Sequence, residues 1–142
     1  MTRLVLAHPA TPDSASAPAE AAIRVDSVSK HFGGSHGVHA LDQITFDVPR
    51  GEFVAVLGPS GCGKSTLLRI LAGLIAADEG SRVEILGRPV TKPSDDVGVV
   101  FQTHNMLPWL DVEANIRLAA EVRKIARSDI DSRVDDILKV LK

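Results

Sequence analysis

The sequence predicts an α/β fold, and three adjacent features carry that prediction. Phe53 to Leu57, in "EFVAVLG", form a continuous apolar run, the mark of a strand buried on both faces. A glycine-rich turn, "GPSGCG", follows at once. Then "KSTLLRILAG" reads as a helix, with Leu67, Leu68 and Leu71 facing inward and Gly73 as its stop.

The remaining elements follow in chain order. Residues 1–22 are rich in Ala, Pro, Ser and Thr and show neither helical nor strand periodicity, so an unstructured tail is expected. Its opening, "MTRLVLAHP", has a basic residue and a short apolar run, but the run stops at His8 and Pro9. That is below the roughly 7–15 apolar residues of an export signal, and none is expected. Ile23, Val25 and Val28 alternate loosely with polar residues, and Leu41, Ile44, Phe46 and Val48 do so again. With "GGSHG" between them and "PRGE" after them as turns, the pattern is that of an antiparallel hairpin.

Beyond the glycine loop and its helix, "RVEIL" is a short strand closed by Gly87. "DVGVVFQ" is a second apolar run, expected as another buried strand, and "MLPWL" breaks the pattern. Asp111 is expected to cap a helix from Val112 to about Ile125, with Val112, Ile116, Ala119 and Val122 on one stripe. Ser128 is expected to cap the next helix, with Asp131 in a capping-box-like position. Ile130, Val134, Ile137, Leu138 and Leu141 would form its apolar face.

Composition narrows the class of protein. The 142 residues suffice for one domain with a core, and 44% apolar with 24% charged residues is ordinary for a globular protein. A net charge of −2 supplies no basic field for nucleic acid or an anionic membrane surface. No run approaches the roughly 18 apolar residues that would span a bilayer, so membrane association is expected only through a protein partner. Cys62 is the sole cysteine, which excludes an intrachain disulfide and fits a reducing, cytosolic setting.

Gly58-Pro59-Ser60-Gly61-Cys62-Gly63-Lys64-Ser65 matches G-x-x-x-x-G-K-[ST] at every position. Placed between a strand and a helix, it has the context of a phosphate-binding P-loop. The residue types follow from the chemistry. Successive backbone N–H groups must converge on phosphate oxygens, so side chains must be small and the backbone free to take unusual angles. The helix that follows adds the partial positive charge of its N-terminal amides. Lys64 can reach the β- and γ-phosphates, and the Ser65 hydroxyl can ligate Mg²⁺. Cys62 inside the loop is read as incidental to function, yet close enough for its alkylation to block binding.

Two other features resemble sites and are set aside. "LIAADE", Leu74 to Glu79, mimics an apolar strand ending in Asp-Glu, but it follows Gly73 directly and leads into Gly80, as a post-helix turn does. His31, His36 and His39 gather around a glycine loop without the second ligand cluster that a metal site needs.

A P-loop alone is common to many enzymes, and its surroundings narrow the choice. "VSKHF", "ALDQITFDVPRGEFVAVLGPSGCGKSTLLRILAGL" and "VGVVFQ…LPWLDVEANI" together resemble the ATP-binding subunit of ABC transporters over about Ile23 to Lys142. More narrowly, "LPWLDVEANI" after "VVFQ" looks like the importer group for nitrate, sulfonates and taurine. The resemblance implies ATP and Mg²⁺ as cofactors. It implies that Phe32 stacks on adenine, where the alternative is a core phenylalanine at a strand end. It implies that Gln102 is the Q-loop glutamine, a Mg²⁺ ligand beside Ser65 and, with Lys64, a catalytic group. The nucleotide-binding set is then Phe32, Gly58, Ser60, Gly61, Cys62, Gly63, Lys64, Ser65 and Thr66.

Partners are implied in the same way. Residues Thr103 to Leu110 match the region where the transmembrane subunit docks; Trp109 would serve either that docking or the anchoring of the next helices. A second copy of the ATPase subunit would complete the ATP site, and a periplasmic or extracellular binding protein would act indirectly. The location implied is the cytoplasmic face of the cell membrane, peripherally. In the family the LSGGQ-type signature, the second Mg²⁺-binding strand with its catalytic glutamate, and the switch histidine all follow the region matched here. The expectation is the first part of a RecA-like domain: a β subdomain and P-loop core over about 23–102, then the start of a helical subdomain over about 103–142. These residues alone should hold phosphate yet hydrolyse it poorly, and exposed sheet edges should lower their stability. Two other readings fit the loop itself: another P-loop NTPase or kinase, and a nucleotide-binding module that never hydrolyses.

Overall fold

The computed structural model describes residues 5–7, 21–33, 37–103 and 105–140. The chain forms two compact units, Met1–Gly98 and Val99–Lys142. The first contains β1 (Val5–Ala7), β2 (Ala21–Phe32), β3 (Val38–Pro49), β4 (Ala55–Leu57), α1 (Lys64–Leu71), β5 (Arg82–Ile85) and β6 (Arg88–Pro89). The second contains α2 (Val112–Val122) and α3 (Arg127–Val140).

Strands β3, β2, β5 and β6 form one antiparallel sheet in that order. The loose alternation along β2 and β3 has a specific cause. The register between them shifts at Val25/Val28, and Ser27 and Gln43 take left-handed backbone angles, φ 51° and 46°. Each is an irregularity that changes which parity of residue faces the core, so Val25 and Val28 are both buried although three apart. Side-chain hydroxyls satisfy the displaced amides: Ser27 N–H donates to Thr45 Oγ1 at 2.9 Å, and Gln43 N–H to Ser29 Oγ at 2.9 Å.

Helix α1 packs on this sheet through Leu67 and Ile70, which join Val25, Val28, Leu41 and Val83 in the core. Leu68, expected inward, is instead exposed. The buried pair is spaced i, i+3 along one stripe, and Leu68 falls to its side. The helix stops as expected at Gly73, in a Schellman motif. Gly73 N–H bonds the Ile70 carbonyl and Leu74 N–H that of Arg69, both at 2.9 Å, with Gly73 at φ +69°.

Three expectations need correction. The tail is not wholly unstructured: Val5–Ala7 pairs antiparallel with β4, and β2 already starts at Ala21. The apolar triplet satisfies the ladder groups along one edge of β4. Residues 8–20 of that stretch lie outside the described residues. Strand β4 is shorter than the apolar run, and Phe53 is 79% exposed. Phe53 precedes the strand, and among the described residues β4 pairs only with β1, in a two-stranded sheet. "DVGVVFQ" forms no strand, and Val100 is 99% exposed. A strand is defined by its ladder, and no described neighbour supplies one there.

"LIAADE" forms a turn, as expected, and Asp78 clamps it onto β2. Asp78 N–H donates to the Ser29 carbonyl at 3.0 Å. The carboxylate accepts from His31 Nδ1 at 2.5 Å and lies 3.5 Å from Lys30 Nζ. An ionised carboxylate only accepts, so the proton sits on Nδ1. His31 Nε2 then faces His39, its register partner, at 2.6 Å. The hydrogen bond from His31 holds the Asp78 carboxyl below its ordinary value of 3.8; loss of water around the carboxyl works against this, and the Lys30 charge adds to it. A depressed carboxyl stabilises the fold above its unfolded value, and that contribution is lost as pH falls through the lower, folded value. Asp78→Asn is therefore expected to be less stable than the native chain at neutral pH. The gap should close as pH falls below 3.8, measured as urea midpoints at each pH. A gap that persists unchanged in acid would contradict this.

In the second unit, Asp111 caps α2 by accepting Ala114 N–H at 2.7 Å, as the sequence suggested. The helix ends at Val122, where Lys124 takes φ +54° and closes the turn. Its predicted stripe is only partly covered: Val112, Ala119 and Val122 are exposed and Ile116 half-buried. Arg117 pairs with Asp131 of α3, which turns the Ala114–Arg117–Leu118 side toward that helix. Helix α3 begins at Arg127, so Ser128 lies inside the first turn and its hydroxyl donates to Asp129 instead of capping. Ile130 and Val134 are buried as expected, Ile137 is exposed, and Leu141 lies outside the described residues. Among the described residues, no helix is long and apolar enough to cross a membrane.

Candidate functional site

The phosphate loop runs from the end of β4 into α1. Gly61 and Gly63 both take left-handed angles, φ +80° and +96°, and Gly63 stands at the N-cap of α1. The cap residue has no side chain to satisfy the first amides of the helix, and no acidic residue lies in the first turn. A helix start left in this condition favours an outside anion.

Gly63 also has a packing role. A Cβ built there would lie 2.2 Å from the Ala40 carbonyl oxygen and 2.8 Å from Leu41 Cδ2. The loop therefore rests directly on β3. Ala40 is two residues along that strand from Val38, the register partner of Phe32. Phe32 thus stands at the end of the hairpin whose β3 strand supports the loop. It is 45% exposed, with the Lys30 ammonium 5.5 Å from its ring centroid. At that exposure Phe32 does not fill the core.

Lys64, the first residue of α1, curls back over the loop. Its ammonium donates to the carbonyls of Gly58 and Pro59, both at 2.6 Å, and lies 3.5 Å from Cys62 Sγ. A cation is held in the mouth of the loop by the loop's own backbone. Ser60, Gly61 and Ser65 are exposed around it, and Cys62, Gly63 and Thr66 are half-buried. Here the donor chemistry fits a phosphate: one fixed positive charge, small residues, and a helix N-terminus. The exposed Ser65 hydroxyl is a hard oxygen of the kind Mg²⁺ accepts. Gln102 is exposed in the second unit. It does not end a buried strand as expected, because residues 97–101 form no ladder.

Sequence reading overlooked Asn115. Its side chain folds back over the start of α2 and bonds the segment before it. An asparagine one turn inside a helix, just after a Pro-containing breaker, was the available signal.

Strand, glycine loop and helix, with the lysine drawn into the loop, define a protein of the P-loop NTPase class. The chain belongs to the ABC transporter family, whose pattern matches residues 41–142. It is 40% identical over 121 residues to a taurine import ATP-binding protein, TauB, of Rhizobium johnstonii, covering 84% of this chain and 46% of that protein. It is 50% identical over 95 residues to an aliphatic sulfonates import ATP-binding protein, SsuB, of Bacillus cereus, covering 66% and 38%. A spermidine/putrescine import ATP-binding protein, PotA, of Bacteroides fragilis is 41% identical over 122 residues, covering 84% and 26%. Among solved structures, a dimeric ATP-binding cassette in a post-hydrolysis state with ADP and Pi aligns with a TM-score of 0.67 and 26% identity, over 82% of this chain and 56% of that one. The chain thus spans less than half the length of these curated relatives.

Proposed function

We propose that this chain carries the nucleotide-holding part of an ABC importer's ATP-binding subunit, which couples MgATP binding and hydrolysis to solute import. The observation that carries the reading is Lys64, held by two backbone carbonyls in the mouth of a glycine loop that opens a helix. Lys64 would meet the β- and γ-phosphates, Ser65 would ligate Mg²⁺, and Phe32 would stack on the adenine; Gln102 is assigned as a Mg²⁺ ligand by the family resemblance alone. Bound Mg²⁺ supplies charge neutralisation at the phosphates.

The relatives named for taurine and aliphatic sulfonates favour a small sulfonate or similar anion such as nitrate as the cargo, although a polyamine importer matches nearly as well. The subunit works at the cytoplasmic face of the membrane, beside a second copy of itself. It docks a transmembrane subunit through about Thr103–Leu110. Trp109 is 74% exposed on that segment, which suits docking rather than anchoring of the following helices.

The test is to express the gene product with its membrane subunit and follow γ-phosphate. Release of free phosphate, stimulated by the membrane subunit, supports the reading. Transfer to a small acceptor would point to a kinase, and binding without turnover in the assembled complex to a non-hydrolysing module.

Cys62 offers a simple check on the site. Its thiol lies beside the Lys64 ammonium, so an alkyl group added there would occupy the loop mouth. Stoichiometric alkylation is expected to abolish ATP binding, and prior ATP should protect the thiol. Full binding by the alkylated chain would argue that the phosphates lie elsewhere.

A further inference from the structure

The geometry points to Asn115 as the positioning residue that fixes the Trp109-bearing turn for docking. Leu107 to Leu110, "LPWL", form a turn closed by Leu110 N–H to the Leu107 carbonyl at 3.1 Å. Pro108 occupies the second position, where its fixed φ suits such a turn, and Trp109 stands at the third, on the tip. Leu107 and Leu110 at its ends are half-buried, whereas Trp109 at its tip is exposed and does not anchor it.

One side chain bonds both ends of the turn. Asn115 Oδ1 accepts Leu107 N–H at 2.7 Å. The two N–H groups of Asn115 Nδ2 are shared among three carbonyls, those of Asp111 at 2.8 Å, Leu110 at 3.0 Å and Leu107 at 3.2 Å. The amide thus grips both main-chain groups of Leu107 and spans the whole turn to the helix cap. The orientation is determined, because a flipped amide would set its oxygen against three carbonyls. Aspartate is the same size but can donate to none of them. Glutamine carries the same groups one methylene too far out.

A partner that docks on Trp109 needs the turn ordered beforehand, since ordering it at the moment of binding would weaken association. Asn115 supplies that order without standing on the exposed tip. The inference rests on the docking role of residues 103–110 proposed above.

Trp109 is the sole tryptophan of the chain and reports directly on the turn. Asn115→Ala and Asn115→Asp are expected to raise the amplitude of fast depolarisation in Trp109 time-resolved anisotropy. They should weaken association with the membrane subunit about tenfold while leaving ATP affinity unchanged. Pro108→Gly loosens the same turn without touching α2 and should reproduce both effects, including if an Asn115 variant fails to fold. Trp109→Ala tests the docking role separately. If anisotropy is unchanged in the loosened variants, the positioning role is overturned. If anisotropy rises and Trp109→Ala weakens association, but the loosened variants bind normally, it is overturned again. If Trp109→Ala binds normally, the docking role fails and the inference falls with it, and the anisotropy still shows whether Asn115 holds the turn.

Discussion

Gly63→Ala is expected to destabilise the chain by about 3 kcal/mol and lower its melting temperature by more than about 10 °C. Two costs combine. The backbone at Gly63 has φ +96°, a conformation that costs an L-residue roughly 1–2 kcal/mol. The added methyl would also lie 2.2 Å from the Ala40 carbonyl oxygen, which is backbone and cannot rotate away. Either the loop lifts from β3 or the hairpin shifts. Lifting the loop would move the amides and Lys64 together, so ATP binding should fail even in molecules that remain folded. Gly61→Ala separates the two costs. Gly61 has φ +80°, yet a Cβ there meets nothing within 4 Å. Its stability loss, read without nucleotide, should be about 1 kcal/mol, the conformational part alone. Equal losses at the two glycines in calorimetry would show that the contact with Ala40 carries no weight.

These glycines mark how far the sequence was legible. Their presence in the loop followed from the eight-residue pattern, because the pattern encodes a local backbone shape. That one of them also seats the loop on β3 did not, because it depends on a strand some twenty residues earlier in the chain. Local chemistry was legible elsewhere too. The Asp111 cap, the Gly73 stop and the hairpin of β2 and β3 all rest on contacts within a few residues or on periodicity. Two apolar runs were read less well. Phe53–Leu57 and Val97–Phe101 have the composition of buried strands, but a strand forms only where a partner pairs with it. Composition records the preference for burial and says nothing of which neighbours are present. Asn115 was missed for a related reason. Its four bonds reach back to residues 107–111, and polar side chains inside a helix carry no periodic signature. The inward assignment of Leu68 failed because three leucines within five positions cannot all face a stripe that Ile70 shares.

Lys64→Ala is expected to weaken ATP binding about 100-fold, some 2.7 kcal/mol, with almost no change in melting temperature. The two halves of that result have different origins. In the structure the ammonium bonds the Gly58 and Pro59 carbonyls at 2.6 Å each, and both residues are exposed. When the side chain is removed, water can reach those carbonyls, so the folded state loses little. A triphosphate has no such substitute. Its oxygens need a cation between the loop and the helix start, and charge-assisted hydrogen bonds there are worth roughly 1.5–3 kcal/mol. Lys64→Arg should not restore binding. The guanidinium keeps the charge but is planar and bulkier, and cannot enter between two carbonyls that a compact ammonium bridges. Calorimetric titration with MgATP at low and moderate salt, alongside thermal melts, reads both quantities. A large loss of stability with unchanged affinity would make Lys64 a structural pin of the loop. Unchanged stability with lost affinity would make it the group that meets the phosphates, and the strand, loop and helix around it the frame that keeps it there.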